Sequence, residues 1–593
     1  MPALRIPALP ARLRRRVEDL RRKEDRLALL LSLVIGALVG LVVVAFILLT
    51  GRLATLLYPA GAPGWRRILV PILGALSTGY LLFKYFPLAR GSGIPQTRAA
   101  LFIHDGRISM RSVAGKFLCC TISLASGIPL GREGPAVYIG SGLASVIARR
   151  LGLSNLQVKS LVPVGGAAAL AAAFNAPIAA VLFSLEAIIG DLHAPVLGSV
   201  VLASATSWMV LHLVLGGNPL FHVPAYHLVS AWELVAYVVL GIVGGLSSVA
   251  FVKMLLWLRE RFGRLPRASL WIQPVAGGLT VGLVGYVAPQ VLGVGYDQIE
   301  RVLNGDVILK AVLILALLKI ITTSVAYASG NAGGIFGPTL FIGSMVGAAV
   351  GAVAHQFFPA STAGPGAYAL VGMGAAFAGT IRTPLTSMIM IFEVSRDYTI
   401  IVPLMISNLI AFYISRKLQR EPIYEALAHQ DGLHLPTRTS GGKSAVLRVS
   451  TAIREAPGSL TPDMTIGAAS ERVTDSIFES WPVADELGLV GMVRTRHIAA
   501  AVDQGRLEMT IERLMHVARR SDLITSVEMP HVHNDQPLSR ALARMRDNGH
   551  KVLPVVSRAN ARIMLGVVTL ADILKAYGVE RADQLDYRDH PDL

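Results

Sequence analysis

The chain has 593 residues, of which 53% are hydrophobic and only 16% charged, where a soluble protein carries about 25% charged residues. That balance excludes an ordinary soluble globular protein and predicts a polytopic membrane protein. The formal net charge of +17 is read as membrane orientation and not as nucleic-acid binding.

Residues 1–26 form a basic segment containing "RIPALPARLRRRVEDLRRKEDR", placed on the cytoplasmic side by its arginine excess. The apolar tract that follows, 27–50, is too long for the h-region of a cleavable signal. Further apolar tracts cover 68–83, 195–215, 234–258, 271–292, 307–328 and 339–354. Several approach the ~20 residues that a membrane-crossing helix needs. Basic clusters at 259–267 and 416–420 read as cytoplasmic ends. Cys119 and Cys120 are adjacent within an apolar stretch, a placement that suits core packing and not a disulfide.

Between these tracts the chain is broken by Gly and Pro. "GSGIP" occupies 91–95, "GREGP" 131–135 and "AGGIFGP" 332–338. Arg132 and Glu133 stand in the middle of apolar sequence, where a charge costs about 3 kcal/mol or more unless something offsets it. The unit repeats itself. "VGGAAALAAAFNAPIAAVLFSLE" (164–186) matches "VGMGAAFAGTIRTPLTSMIMIFE" (371–393), with thirteen residues from Val to Pro and nine more to Glu in both. "GSGIPQTRAAL" (91–101) lines up with "GVGYDQIERVL" (293–303), and "GREGP" with "GIFGP"; the offsets are 207, 202 and 203 residues. An internal duplication with interrupted helices builds a binding site at the bilayer midplane in transporters. A helix start exposes unpaired N–H groups and about half a positive charge, so converging starts form an anion site, to which Ser92 adds a hydroxyl. Glu186 and Glu393, equivalent in the repeat, are read as fixing helix ends through hydrogen bonds.

After the membrane unit, 27–430, the character changes. Residues 431–458 read as a polar, Gly-rich linker, 459–582 as a soluble α/β unit, and 583–593 as a tail. Within the α/β unit, "WPVADELGLVGMVRTRHI" (481–498) resembles "LPVVSRANARIMLGVVTLADI" (553–573).

"GSGIP", "GREGP", "GGIFGP" and "EPIYEAL" (421–427) resemble, in order and spacing, the signature segments of the CLC chloride channel and transporter family. The C-terminal pair resembles a tandem CBS module. The resemblance implies a polytopic α-helical membrane protein of CLC type with inverted internal repeats and broken helices, plus a cytoplasmic α/β CBS pair. It implies a homodimer in the cell inner membrane, one pore per chain, with chloride, protons and membrane lipids as partners. By the family's pattern the hydroxyls of Ser92 and Tyr424 coordinate a central anion. Gly91, Arg132, Glu133, Gly134, Ile335, Phe336 and Gly337 line the path through their backbone, and Glu133 is the gate. Its carboxylate and a chloride compete for one place, so protonation or chloride releases it. Serine at 92 goes with chloride preference, and proline there with nitrate.

One position departs from the proton-coupled members. A second glutamate that carries protons in them is Ala187 here, and alanine carries none. The expectation leans slightly to a channel or weakly coupled transporter, with a stoichiometric H+/Cl− exchanger as the alternative. CBS nucleotide sites use Gly-h-h-Ser/Thr-x-x-Asp, h being apolar. "GVVTLAD" fits, giving Gly566, Thr569 and Asp572 as a site for an adenine nucleotide, whereas Arg494 and His497 replace the Thr and Asp of the first repeat. No cofactor is required and no metal is expected, since His516, His531 and His533 have no ligand spacing. A membrane protease would need His-Glu-x-x-His, which is absent from the sequence, so the chain is not read as an enzyme. A magnesium transporter would need acidic pore residues and an aquaporin two Asn-Pro-Ala boxes; neither pattern occurs.

Overall fold

The computed structural model describes residues 11–433 and 447–576, except 193, 218, 225, 227, 457, 474–477, 479, 516–530, 549–550, 559 and 561. It divides into a membrane unit, Met1–Thr437, and a C-terminal unit, Arg438–Leu593.

Eight helices among the described residues are long and apolar enough to cross a membrane. Helix Ala11–Leu57 carries residues 11–26 of the basic segment and the first apolar tract in one piece. Tracts 68–83, 234–258 and 339–354 each fall within one helix, and 195–215 and 307–328 do so but for their first two residues. Tract 271–292 does not: its helix, Gln273–Val287, spans 15 residues and stops before Pro289, whose ring cannot continue it. Asn155–Phe174, rich in alanine and glycine, is long enough to cross and was not among the expected tracts. Its window is 78% buried inside the protein, so it is a core helix that needs small side chains more than greasy ones.

The duplication appears as two matched series of helices. In the first half run α1 (Ile94–Phe102), α2 (Met110–Ala125), α3 (Glu133–Arg150), α4 (Asn155–Phe174) and α5 (Pro177–Phe183). The second half answers with α6 (Tyr296–Leu303), α7 (Leu309–Ala328), α8 (Phe336–Phe357), α9 (Pro365–Ile381) and α10 (Pro384–Ser395). The break between α4 and α5 is made like that between α9 and α10. One residue turns left-handed, Asn175 at φ 56° or Arg382 at φ 63°, and a proline opens the next helix two residues on. Pro suits a first helical position because its missing N–H is unpaired there anyway. A last helix, α11 (Ile423–Gln430), closes the unit.

Glycine sets how closely the helices approach. A Cβ at Gly140 would lie 2.3 Å from the Gly165 carbonyl oxygen, and one at Gly343 would lie 2.4 Å from that of Gly372. These are equivalent contacts, α3 on α4 and α8 on α9, so both halves are assembled by backbone-to-backbone packing, the membrane alternative to a hydrophobic driving force.

In the C-terminal unit β1 (Ser480–Asp485) pairs antiparallel with β2 (Gly488–Arg494). A second sheet has the order β3 (Val532–His533), β4 (Val552–Val556), β5 (Met564–Thr569), with β3 parallel to β4 and β4 antiparallel to β5. Each sheet has its own apolar core. Residues 447–454, inside the stretch expected as linker, belong to the second sheet's half: Val449 N–H donates to Gln536 O at 2.8 Å and Arg454 bridges Val567. The 583–593 tail lies outside the described residues.

Gly343→Val should lower the melting temperature of the detergent-solubilised protein, at a cost of about 1–3 kcal/mol for overpacking. Gly198→Ala, where a Cβ meets nothing within 4 Å, should leave it unchanged.

Candidate functional site

The two halves meet at a pair of glycines. Gly131 N–H donates to Gly334 O, and Gly334 N–H to Gly131 O, both at 2.7 Å. This short antiparallel bridge sets the starts of α3 and α8 side by side, because each helix begins two residues beyond its glycine. A Cβ on Gly131 would lie 2.4 Å from Glu133 Oε2 and 2.9 Å from Gly337 N, so only glycine leaves room for the carboxylate there. Glu133 is 0% exposed. Its Oε1 accepts a short hydrogen bond from the Tyr296 hydroxyl, and its Oε2 is buried without a partner.

Arg132 contributes backbone here more than charge. Its guanidinium turns to the Tyr296 ring, 5.3 Å from the centroid, and donates to Ala173 O at 3.3 Å. The Glu133 carboxylate is thus held by a phenol and not by its neighbour's guanidinium, in keeping with the rule that residues adjacent in a helix do not face each other.

Gly91 and Ser92 lead into α1, and Gly93 N–H is capped by Gln96 Oε1 at 2.9 Å. The backbone of Ser92 lies against Gly134: a Cβ on that glycine would meet Ser92 O at 2.5 Å. Tyr424 is the second residue of α11, and its ring lies 6.1 Å from that of Phe336 at the start of α8. Ile335 and Gly337 flank Phe336 in the same buried turn. The structure therefore gathers the leads of α1, α3, α8 and α11. Ser92 is 0% and Tyr424 3% exposed, yet neither Ser92 Oγ nor Tyr424 Oη has a partner at hydrogen-bonding geometry, although Tyr327 adjoins Ser92. Orphaned buried hydroxyls cost about 1–3 kcal/mol each. Two of them, with a half-satisfied carboxylate, at four helix starts fit a site for an anion. Tyr424 is held in place by the Arg98–Glu425 ion pair at 3.4 Å between α1 and α11 and by Arg259, which donates to Leu427 O at 3.3 Å and to Gln430 Oε1 at 3.0 Å.

The halves also exchange caps. Glu393 of α10 accepts the N–H groups of Ile178 and Ala179 at the start of α5, at 2.9 and 2.6 Å. Reciprocally, Glu186 accepts the N–H and hydroxyl of Thr386 at the start of α10, at 2.9 and 2.8 Å. The expected helix-end role is what the geometry shows. Sequence reading missed a second matched pair. Lys116 of α2 is fully buried and donates to Arg90 O and Gly91 O at 3.1 and 2.8 Å. Lys319 of α7 does the same to Val291 O and Gly293 O at 2.9 and 2.7 Å. Tyr296 was missed as well. The match of "GVGYDQ" to "GSGIPQ" was the available signal, because it puts Tyr296 at the opening of a broken helix. Ala187 lies in a π-helical turn, Ser184–Ile189.

A family model described as voltage gated chloride channel matches residues 73–416. The chain belongs to this family. A ClcB-like chloride channel protein of Ralstonia nicotianae is 32% identical over 390 residues, 64% of this chain and 90% of that one. The H(+)/Cl(−) exchange transporter ClcA of Vibrio cholerae is 30% identical over 419 residues, 68% of this chain and 89% of that one. The crystal structure of a eukaryotic CLC transporter superposes with a TM-score of 0.66 at 20% identity, over 92% of this chain and 97% of that one, a likeness of fold. A CBS-domain model matches 521–579.

In this chain's CBS domain Gly566 lies within β5, Thr569 ends that strand and Asp572 lies in the first turn of the following helix, Leu570–Ala576. Thr569 donates to Asp572 Oδ2 at 2.7 Å and accepts the Asp572 N–H at 3.1 Å, while Arg454 donates to Asp572 Oδ1 at 2.6 Å. The motif thus caps a helix, with Arg454 bound to its Asp572. In the first repeat Arg494 ends β2 and His497 lies in the helix Thr495–Asp503. No group of three or more His, Cys, Asp or Glu suited to a metal occurs among the described residues; His516 lies outside them.

Glu393→Ala strips the cap from Ile178 and Ala179 and should destabilise the protein by about 1–3 kcal/mol, more than Glu393→Gln, which keeps one acceptor. Thermal unfolding in detergent reads the order of the two variants.

Proposed function

We propose that the protein moves chloride across the membrane through one pathway per chain of a homodimer, with Glu133 as the gate and protons acting through that gate. One observation carries this reading: a buried carboxylate with one unpaired oxygen shares a junction of helix starts with the buried hydroxyls of Ser92 and Tyr424, neither of which has a partner at hydrogen-bonding geometry. The helix starts favour negative charge without a full positive charge that would trap the ion. Glu133 supplies that negative charge itself when the path is shut. A chloride entering, or a proton neutralising the carboxylate, removes the reason for it to stay. The arginine excess of the N-terminal segment supports a cytoplasmic N-terminus at the inner membrane; the CBS domain is read as cytoplasmic too, and Ser92 as favouring chloride over nitrate.

Stoichiometric proton exchange is the second reading, favoured by the name of the Vibrio cholerae relative. Against tight coupling stands Ala187, which offers no proton-carrying group where coupled relatives have one, so protons would need a water chain to reach Glu133.

Chloride and proton fluxes measured together from liposomes holding the purified protein decide between the two. A chloride gradient that drives uphill proton movement at a fixed ratio assigns exchange; little uphill movement assigns a channel or weak coupling. Glu133→Gln, which mimics the protonated gate, should lose most of the pH dependence of chloride flux while still conducting. Wild-type pH dependence in that variant would contradict the assignment of the gate.

A further inference from the structure

The geometry points to Tyr296 as the latch of the gate: its hydroxyl holds the Glu133 carboxylate in the pathway, and the Arg132 guanidinium holds the Tyr296 ring. The inference rests on Glu133 being the gate and names what keeps that gate shut. Tyr296 opens α6, the second-half counterpart of α1. The repeat is asymmetric at this place. Where the first half has Ser92 and Ile94, the second has Val294 and Tyr296, so one half turns a hydroxyl toward the anion and the other toward the carboxylate that competes with it.

The phenol is half-buried and held at several points. Its hydroxyl donates to Glu133 Oε1. The Phe221 ring meets its ring edge-on at 5.4 Å, and the guanidinium of Arg132 lies over it at 5.3 Å. Gly295, immediately before it, has φ +86°, and a Cβ there would lie 2.6 Å from the Phe341 ring, so the backbone enters α6 in one conformation. The far end of α6 is tied as well: Glu300 accepts from His222 N and Nδ1 at 3.1 and 2.7 Å, and Leu303 O accepts from the Tyr226 hydroxyl.

A hydroxyl donates more strongly to an ionised carboxylate than to a neutral acid. The latch therefore favours the closed, charged gate over the released, protonated one, by about tenfold for a charge-assisted bond. The other charged or titratable groups near the pair are few. Arg132 lies over the Tyr296 ring, and Tyr424 is near enough to feel the Glu133 charge. Lys319 of α7 comes near Gly295 and spends its protons on two carbonyls. From α2, Lys116 is bound likewise at Arg90 and Gly91 and lies over Tyr138 of α3. Asp297, Glu300 and Arg301 continue α6, Asp297 and Arg301 on its exposed side, and His222 is engaged with Glu300.

The test is chloride flux against pH in liposomes for Tyr296→Phe, which keeps the ring and its contacts and removes only the hydroxyl. The expected result is about tenfold more flux where the wild type is mostly shut, with the half-maximal pH moved up by about one unit. In a Glu133→Gln background the same change should add nothing, because there is no charged gate to hold. A wild-type pH profile in Tyr296→Phe overturns the latch. If Glu133→Gln alone keeps the wild-type pH dependence, the gate itself is misassigned; if it loses that dependence while Tyr296→Phe keeps it, only the latch fails. Ile299→Val loosens the same helix without touching the hydroxyl and should leave the profile in place. An equal shift in that variant would assign the effect to slackening of α6 and overturn the proposal.

Discussion

Every broken helix in a membrane leaves N–H groups that water cannot satisfy, and each costs several kcal/mol if nothing else does. The structure places buried charges at these breaks, carboxylates for the N–H groups and lysines for the carbonyls. Glu393 and Glu186 close the starts of α5 and α10, one across from the other. Lys116 and Lys319 satisfy the carbonyls that precede α1 and α6. The starts of α1, α3, α8 and α11 are left facing one another around Ser92, Tyr424 and Glu133. On the proposed reading, an anion is drawn to the starts that the protein has not capped with its own carboxylates, in contrast to those of α5 and α10. The Gly131–Gly334 bridge makes this arrangement rigid, because it fixes two of those starts by backbone alone.

If Glu133 is the gate proposed above, the same logic explains why it would need a latch. A carboxylate at a helix start is favoured by the backbone, but so is any anion, and the two are alike in charge. What distinguishes them is a donor aimed at the side chain and not at the ion, and Tyr296 is such a donor.

Much of this was legible in the sequence. The Gly/Pro motifs and their near-constant offset revealed the duplication, the broken helices and the residues that line the junction. Contacts between the halves were harder to read. Glu186 with Thr386, or Tyr296 with Glu133, join residues far apart in the chain, and only the repeat alignment hints at which will meet. Burial also misled in both directions. Asn155–Phe174 is rich in alanine and does not read as a greasy tract, whereas 271–292 is largely apolar but is stopped by Pro289. In the CBS domain the nucleotide motif was visible, but not that Arg454, from a stretch expected as linker, would be bound to Asp572.

The central claim is that the anion rests where the orphaned hydroxyls of Ser92 and Tyr424 converge, and diffraction from protein crystallised in bromide tests it most directly. An anomalous peak within hydrogen-bonding distance of Ser92 Oγ and Tyr424 Oη, lost when Ser92 and Tyr424 are both replaced by residues without hydroxyls, is the predicted result. Bromide bound instead beside Lys116 or Lys319, with no peak between the two hydroxyls, would contradict it.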